Sequence, residues 1–275
     1  MRYVIEVDKE IRHIIDWIKD YFIKNGPNSK AVIGMSGGKD STIAAALLVQ
    51  ALGAGKVHGV IMPDGEMKDQ WLAEEICKRL GINYEIVNIG NAMNAFYDAL
   101  LEDSSVVHNV RGNPTITTNS PARMRMMALY AVAAEVGGRV VNTCNHSEDY
   151  VGFSTKYGDL AGDFSIFKNY PVRWVKEIGY ELVERGIINI GWVNKIPDDG
   201  MCGYSDEKKF GFTYETLDAY LIDKIVPEYE TMKKIHEMHE RNKHKECINL
   251  PAPYIKTRHR DDEEYTEQPL FQLIV

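Results

Sequence analysis

Residues 31–41 read AVIGMSGGKDS. The apolar run Ala31–Met35 predicts a short buried strand, Ser36-Gly37-Gly38 a tight turn, and a helix opens from about Asp40. The next residues, Ser41–Leu52 (STIAAALLVQAL), are apolar nearly all round and stop at Gly53, which predicts a helix packed inside the molecule. Strand, glycine turn and helix start together make an anion site. The first turn of a helix leaves its N–H groups unpaired, and successive N–H groups in a glycine turn converge on one point. Gly37 and Gly38 can adopt positive φ and admit a phosphate close to the backbone. Ser36 and Ser41 add hydroxyl donors, Lys39 adds a positive charge, and Asp40 can hold a Mg²⁺ that bridges phosphate oxygens. A phosphate-bearing ligand is the first reading, and an ordinary tight turn is the other one these residues allow. The spacing is not that of the GxxxxGK[ST] loop, because the Lys follows the second glycine and precedes an Asp.

Upstream, Asp8–Asn25 carries Ile11, Ile14, Ile15, Ile18 and Phe22 at helical spacing, closed by Gly26-Pro27. Downstream, Val57–Met62 and Asn83–Ile89 read as further strands, separated by a helix over Lys68–Leu80. Strands alternating with helices predict an α/β fold, a doubly wound parallel sheet with helices on both faces. Ligands of such sheets sit beyond the carboxyl ends of the strands, where the glycine turn lies. Asn91–Leu101 reads as helix and Glu102–Thr118 as a long loop. Asn119-Ser120-Pro121 reads as the start of a helix over Ala122–Val136. That start leaves Arg123 and Arg125 at the positive end of a helix dipole, which calls for solvent or an anion beside them. Arg139–Thr143 is a fourth strand whose end feeds the polar cluster Thr143–Asp149, the second half of the site by the same strand-end argument. Ser154–Asp163 (STKYGDLAGD) and Lys195–Asp206 read as loops, Val172–Arg185, Thr213–Ile222 and Val226–Lys243 as helices, and the tail from Pro251 is rich in Pro and charge. His236, His239 and His244 fit a solvated charged helix better than a metal site. Neither a repeat nor a linker interrupts the pattern, so residues 1–275 are expected to form a single domain.

Composition limits the function. With 275 residues, 44% hydrophobic and 26% charged, the chain has the make-up of a soluble globular protein. It has no run of about 18 apolar residues for a membrane span, and its start, MRYVIEVDKE, lacks the apolar core of a signal peptide; a cytoplasmic location is expected. Cys77, Cys144, Cys202 and Cys247 are scattered and give no zinc spacing. A net charge of −8 argues against a nucleic-acid partner, while leaving room for a locally positive site that takes a small anion.

The run SGGKDS resembles the SGGxDS signature of the PP-loop ATP pyrophosphatases, whose fold is that of the adenine nucleotide alpha hydrolases. Those enzymes cleave ATP between its α and β phosphates. Four further stretches resemble the ammonia-dependent NAD synthetases: NSPARMRMMALYAVAAEVGGRVVNT (Asn119–Thr143), NHSEDYVGFSTKYGDLAGDF (Asn145–Phe164), SDEKKFGFTYETLDAYL (Ser205–Leu221) and His244-Lys245 shortly before Pro251. The order and spacing of these stretches hold along nearly the whole chain. The resemblance implies the last step of NAD biosynthesis, in which the nicotinate carboxylate of deamido-NAD attacks the α-phosphorus of ATP and pyrophosphate leaves. Ammonia then attacks the acyl-adenylate to give NAD and AMP.

Carried over by position, the resemblance gives Ser36, Gly37, Gly38, Lys39, Asp40 and Ser41 to the pyrophosphate end of ATP and Thr143 to a further ATP contact. Asp40 and Glu148 become Mg²⁺ ligands. Arg123, Lys156, Asp163, His244 and Lys245 become contacts of deamido-NAD, with Asp163 positioning ammonia or taking a proton from ammonium. The catalytic set is then Lys39, Asp40, Glu148 and Asp163. Two positions depart from the family pattern: Val172 stands where many members have an ATP-contacting Lys, and Asp198 where a small hydroxyl residue follows a proline. Lys168 or Arg173 is the expected substitute cation. The chain begins with the helix before the glycine turn, without the amidase part of glutamine-dependent members, so free ammonia is the expected nitrogen source. The family implies a homodimer, with the apolar helix Ala122–Val136 as an interface element. The alternative to the enzyme is a catalytically silent nucleotide-binding sensor of the same fold. A tRNA-modifying PP-loop enzyme fits less well, since the chain has neither a basic surface nor paired cysteines.

Overall fold

The computed structural model describes residues 3–195, 205–246, 248–259 and 266–268. The chain opens with a short strand β1 (Tyr3–Val4) and helix α1 (Val7–Asn25), followed by β2 (Lys30–Gly34), α2 (Lys39–Leu52), β3 (Val57–Ile61), α3 (Gln70–Leu80) and β4 (Asn83–Ile86). Helices α4 (Gly90–Asp103) and α5 (Pro114–Val136) lead to β5 (Gly138–Asn142), α6 (His146–Val151) and β6 (Phe164–Ser165). Then come α7 (Val172–Glu184), α8 (Ile190–Val193), α9 (Asp206–Phe210), α10 (Tyr214–Asp223), α11 (Tyr229–Asn242), β7 (Ile255–His259) and β8 (Thr266–Gln268).

Five of these strands form one all-parallel sheet in the order β4-β3-β2-β5-β6. The chain builds outward from β2 through β3 to β4, then returns to add β5 on the other side, so the topological switch lies between β2 and β5. The two-residue period of a strand divides the core between the faces. Ala31 and Ile33 of β2 pack with α1, α2, α3 and α7, whereas Val32 packs with Val60, Val140, Ala133 and Leu129 beneath α5. Helix α2 is enclosed as its composition requires, with Ile43, Ala44, Ala45, Ala46, Leu47 and Leu48 all fully buried.

A three-stranded antiparallel unit, β1-β7-β8, lies outside the main sheet and draws on the tail that composition alone leaves irregular. It is tied in by Glu10, which is buried in α1 and accepts hydrogen bonds from Tyr170 Oη (2.5 Å) and from the backbone amide of Lys256.

The region before β5 differs from the sequence expectation. Helix α5 begins at Pro114, seven residues before the expected Pro121 start, and its cap is Asn113, whose side chain accepts from the amides of Thr115 and Ile116. Pro114 at the first helical position needs no hydrogen-bond partner for its nitrogen, which favours this start, and Pro121 sits inside the helix. Arg123 and Arg125 are therefore well clear of the helix N-terminus, and the dipole argument for an anion beside them does not apply.

Candidate active site

The glycine turn lies between β2 and α2. Only Gly37 takes the left-handed conformation (φ 73°); Gly38 stands at φ −84° as the N-cap of α2. The turn is braced from within: Gly38 N donates to Ser36 Oγ (3.2 Å), Ser36 and Ser41 hydroxyls share a hydrogen bond (3.1 Å), and Ser41 and Thr42 hydroxyls donate to Gly38 O. No side chain caps α2, so its first amides remain available to an anion.

Across the β2/β5 switch, Asn145 caps α6. Its side chain accepts from Glu148 N (3.1 Å), while Glu148 Oε2 accepts from Asn145 N (3.2 Å), a reciprocal capping box. Asn145 Nδ2 also donates to Asp40 Oδ1 (3.3 Å), bringing the starts of α2 and α6 together. Lys39, with its side chain 2% exposed, donates to Asp40 Oδ2 at 2.6 Å. Burial works against the Lys39 ammonium, but the charges of Asp40, Glu148 and Asp206 outweigh it and hold the group above its ordinary value. Burial, reinforced by Asp40, pushes the Glu148 carboxyl up.

Among the described residues, no cluster of three or more His, Cys, Asp or Glu side chains is arranged to hold a metal. Two carboxylates and no soft ligand suit Mg²⁺, which takes few protein ligands and completes its shell with water and substrate phosphates.

Arg123, Lys156, His244 and Lys245 are gathered around the loop that follows α6. Arg123 Nε donates to Lys156 O (3.2 Å), Lys156 Nζ to His244 O (2.8 Å), and Lys245 Nζ to Gly152 O and Ser154 O (2.5 and 2.8 Å). Thr143 follows the end of β5 at the same edge of the sheet. Asp163 stands apart: its Oδ2 accepts from Val140 N (2.7 Å) in the middle of β5, and it lines a cavity of about 410 Å³ with Ser29, Tyr130, Gly138 and Arg139, near the amino ends of β2 and β5.

The substitute cations are also engaged elsewhere. Val172 is buried in the core, Arg173 pairs with Asp223 (2.8 Å), and Lys168 Nζ donates to Asn249 Oδ1 (2.7 Å). Asp198 lies outside the described residues. His236 and His239 are more than solvated surface: His236 Nε2 bonds Tyr220 Oη (2.7 Å), and His239 stacks on Tyr150 with ring centroids 4.2 Å apart, tying α11 to α10 and α6.

Asn145 and Ser147 fall in the polar cluster Thr143–Asp149, where sequence reasoning gives neither a role, and it passes over Asp206, Tyr214 and Asp218. For Asn145 the signal was present, since Asn145 and Glu148 have the N-cap-to-N3 spacing of a capping box. The others meet only in three dimensions. Ser147 Oγ donates to Asp218 Oδ1 (2.5 Å) and accepts from Val172 N (3.0 Å), while Asp218 Oδ2 accepts from Arg173 N (2.6 Å). These contacts cap α7, whose N-cap Pro171 has no side-chain donor or acceptor.

Comparison with known proteins places the chain. The family model "NAD synthase" matches residues 10–259. The chain is 35% identical to the NH3-dependent NAD+ synthetase of Pyrococcus horikoshii over 79% of each chain, and 36% identical to that of Methanocaldococcus jannaschii over 82% of this chain and 83% of the relative. Among solved structures, an NMN synthetase from Francisella tularensis superimposes with a TM-score of 0.78 at 30% identity, covering 88% of this chain and 96% of that one.

Proposed function

The chain belongs to the NAD synthase family, and from that premise we propose that it is an ammonia-dependent synthetase that turns the nicotinate carboxylate of deamido-NAD into the amide of NAD at the expense of ATP. The carrying observation is the meeting of Asp40, at the start of α2, with Asn145 and Glu148, at the start of α6, across the switch point of the sheet.

A carboxylate is a poor acyl donor until one of its oxygens becomes a good leaving group. The free amides of α2, with Ser36, Ser41 and Lys39, hold the β- and γ-phosphates as the carboxylate oxygen attacks the α-phosphorus. The bond between the α-phosphorus and its bridging oxygen breaks, and pyrophosphate leaves into the glycine turn. Ammonia then attacks the acyl carbon; the carbon–oxygen bond to AMP breaks, and the proton lost from nitrogen goes to solvent or a nearby carboxylate. Asp40 and Glu148 would hold Mg²⁺, which supplies neutralisation of the phosphate charge when bound. Arg123, Lys156, His244 and Lys245 hold the anionic acceptor, and Thr143 contacts ATP. Asp163, held by Val140 N near the amino ends of β2 and β5, is kept as a contact of the dinucleotide at a place separate from this centre. The chain works as a single domain, in the cytoplasm, and as a homodimer through α5, where Met127 is 57% exposed and only Pro121 and Ala133 are buried.

A second reading has one observation in its favour, the Francisella tularensis structure: the acceptor is the mononucleotide, and the product NMN. The chemistry at the carboxylate is the same. The deciding experiment supplies ATP, Mg²⁺ and ammonium with deamido-NAD or nicotinate mononucleotide in parallel, and identifies products. Amide, AMP and pyrophosphate in equal amounts are expected with deamido-NAD. Turnover with the mononucleotide alone moves the function to the second reading, and no ATP cleavage with either leaves the nucleotide-binding sensor.

A further inference from the structure

Both oxygens of the Asp40 carboxylate are already taken by the protein's own donors. Asn145 Nδ2 donates to Oδ1 at 3.3 Å and Lys39 Nζ donates to Oδ2 at 2.6 Å. Lys39 is held in this position from behind. Its ammonium lies 5.9 Å from the centroid of the Tyr214 ring, and Tyr214 Oη donates to Asp206 Oδ2 at 3.3 Å; Tyr214 and Asp206 are both buried, 4% exposed. Tyr214 and Asp206 belong to α10 and α9, so the stretch Ser205–Leu221 closes over the glycine turn through this one side chain.

We propose that Lys39 is the resident counter-cation of the Asp40–Glu148 pair, held in place by Tyr214 and Asp206, and that it keeps a divalent cation off this pair until a polyphosphate draws the ammonium away. The inference rests on the assignment of Asp40 and Glu148 as metal ligands. The physical reason is charge. A small cation and an ammonium compete for one carboxylate oxygen, and their repulsion is strong where little solvent screens it. A polyphosphate in the glycine turn offers Lys39 new oxygen acceptors on its other side, which frees Oδ2 of Asp40. Lys39 thus makes metal binding depend on nucleotide binding, and Asp206 and Tyr214 act as positioning residues for it.

The test uses Mn²⁺ alone as the probe, followed by electron paramagnetic resonance on the full chain without nucleotide. The wild type is expected to bind Mn²⁺ weakly, Lys39→Met at least about tenfold more tightly, and Lys39→Arg as weakly as the wild type, because charge rather than size excludes the ion. Equal affinity of wild type and Lys39→Met overturns the inference. Absence of Mn²⁺ binding in every form, with or without a non-hydrolysable ATP analogue, overturns the metal assignment and the inference with it, and leaves the synthetase reading to its own product assay. A second measurement needs no variant. In ¹⁵N-lysine-labelled wild type, the Lys39 ammonium resonance is expected to stay in place with Mg²⁺ alone and to move with Mg²⁺ plus the analogue. Movement with Mg²⁺ alone overturns the proposal.

Discussion

Replacing Ser147 by Ala tests whether the helix that presents Glu148 is anchored by the cap it gives to a neighbour. The Ser147 hydroxyl does two things at once: it accepts from Val172 N at the start of α7 and donates to Asp218 Oδ1. Ser147 is fully buried and Asp218 is 1% exposed, so water does not replace the lost group. Losing a hydrogen bond to an ionised carboxylate costs about 1.5–3 kcal/mol, and leaving a buried N–H unpaired about 1–3 kcal/mol. Together these give a loss of about 3–5 kcal/mol at pH 8. The loss depends on pH. Burial raises the Asp218 carboxyl from 3.8 to about 6, against the opposing pull of its Ser147 and Arg173 donors. A raised carboxyl binds its proton better in the folded state, so its contribution to stability is full below about 4 and is lost as pH rises through about 6. Removing the Ser147 donor raises the folded-state value further and deepens that loss. At pH 5 the carboxyl is protonated and the missing bond is a neutral one, so the variant should lose about 1 kcal/mol less than at pH 8. Urea unfolding followed by circular dichroism, with an unchanged m value, measures both losses. A loss below about 1 kcal/mol, or one equal at the two pH values, refutes the account.

Three further outcomes follow from the site and its supports. Asp40→Asn and Glu148→Gln should each abolish amide formation while leaving the unfolding transition in place, and near-normal kcat in either is incompatible with their role. Lys156→Ala should raise KM for the nicotinate substrate far more than for ATP, because Lys156 lies with Arg123 and His244 rather than at the glycine turn; equal effects on both count against the assignment. Gly152→Ala should destabilise by about 2–4 kcal/mol in the same urea assay, since the residue ends α6 at φ 64° and a Cβ there would fall 2.0 Å from Asn242 Cβ on α11; a neutral variant would mean that α11 shifts freely.

Much of the architecture was legible because it depends on local pattern. The apolar run, the glycine turn and the buried helix of residues 31–52 specify β2 and α2, and the alternation of strands with helices fixes a parallel sheet. Where the reading failed, two local signals competed. Asn113-Pro114 and Ser120-Pro121 are both good helix starts, and the earlier one wins because Asn113 captures two amides and a single interior proline removes only one hydrogen bond. The three-stranded unit escaped because β1 has two residues and pairs with a strand some 250 positions away, a register no local period encodes. The same limit applies to Asp206, Tyr214 and Asp218: each looks like an ordinary polar residue of a short helix until the fold brings it to Lys39 or to the start of α7.

The two halves of the site differ in how their charges are met, and this difference bears on what each half binds. On the proposed ATP side the acids Asp40 and Glu148 face a resident cation, Lys39, so part of their charge is met within the protein. On the acceptor side the cations Arg123, Lys156 and Lys245 carry no ion pair among the described residues, and each points at neutral backbone carbonyls. A carbonyl dipole satisfies hydrogen-bond geometry but meets the charge only weakly, whereas an anionic oxygen forms a bond roughly twice as strong; Lys245 also feels the buried carboxylates of Asp159 and Asp149. In a chain of net charge −8, Arg123 and Lys156 form a local positive site that a carboxylate or phosphate of the proposed acceptor would claim by displacing carbonyls. On the proposed assignment the protein would exchange an internal ion pair for polyphosphate and metal on one side, and weak neutral contacts for an anion on the other. Both exchanges take place at the same strand ends, which is where acyl and phosphoryl groups must meet.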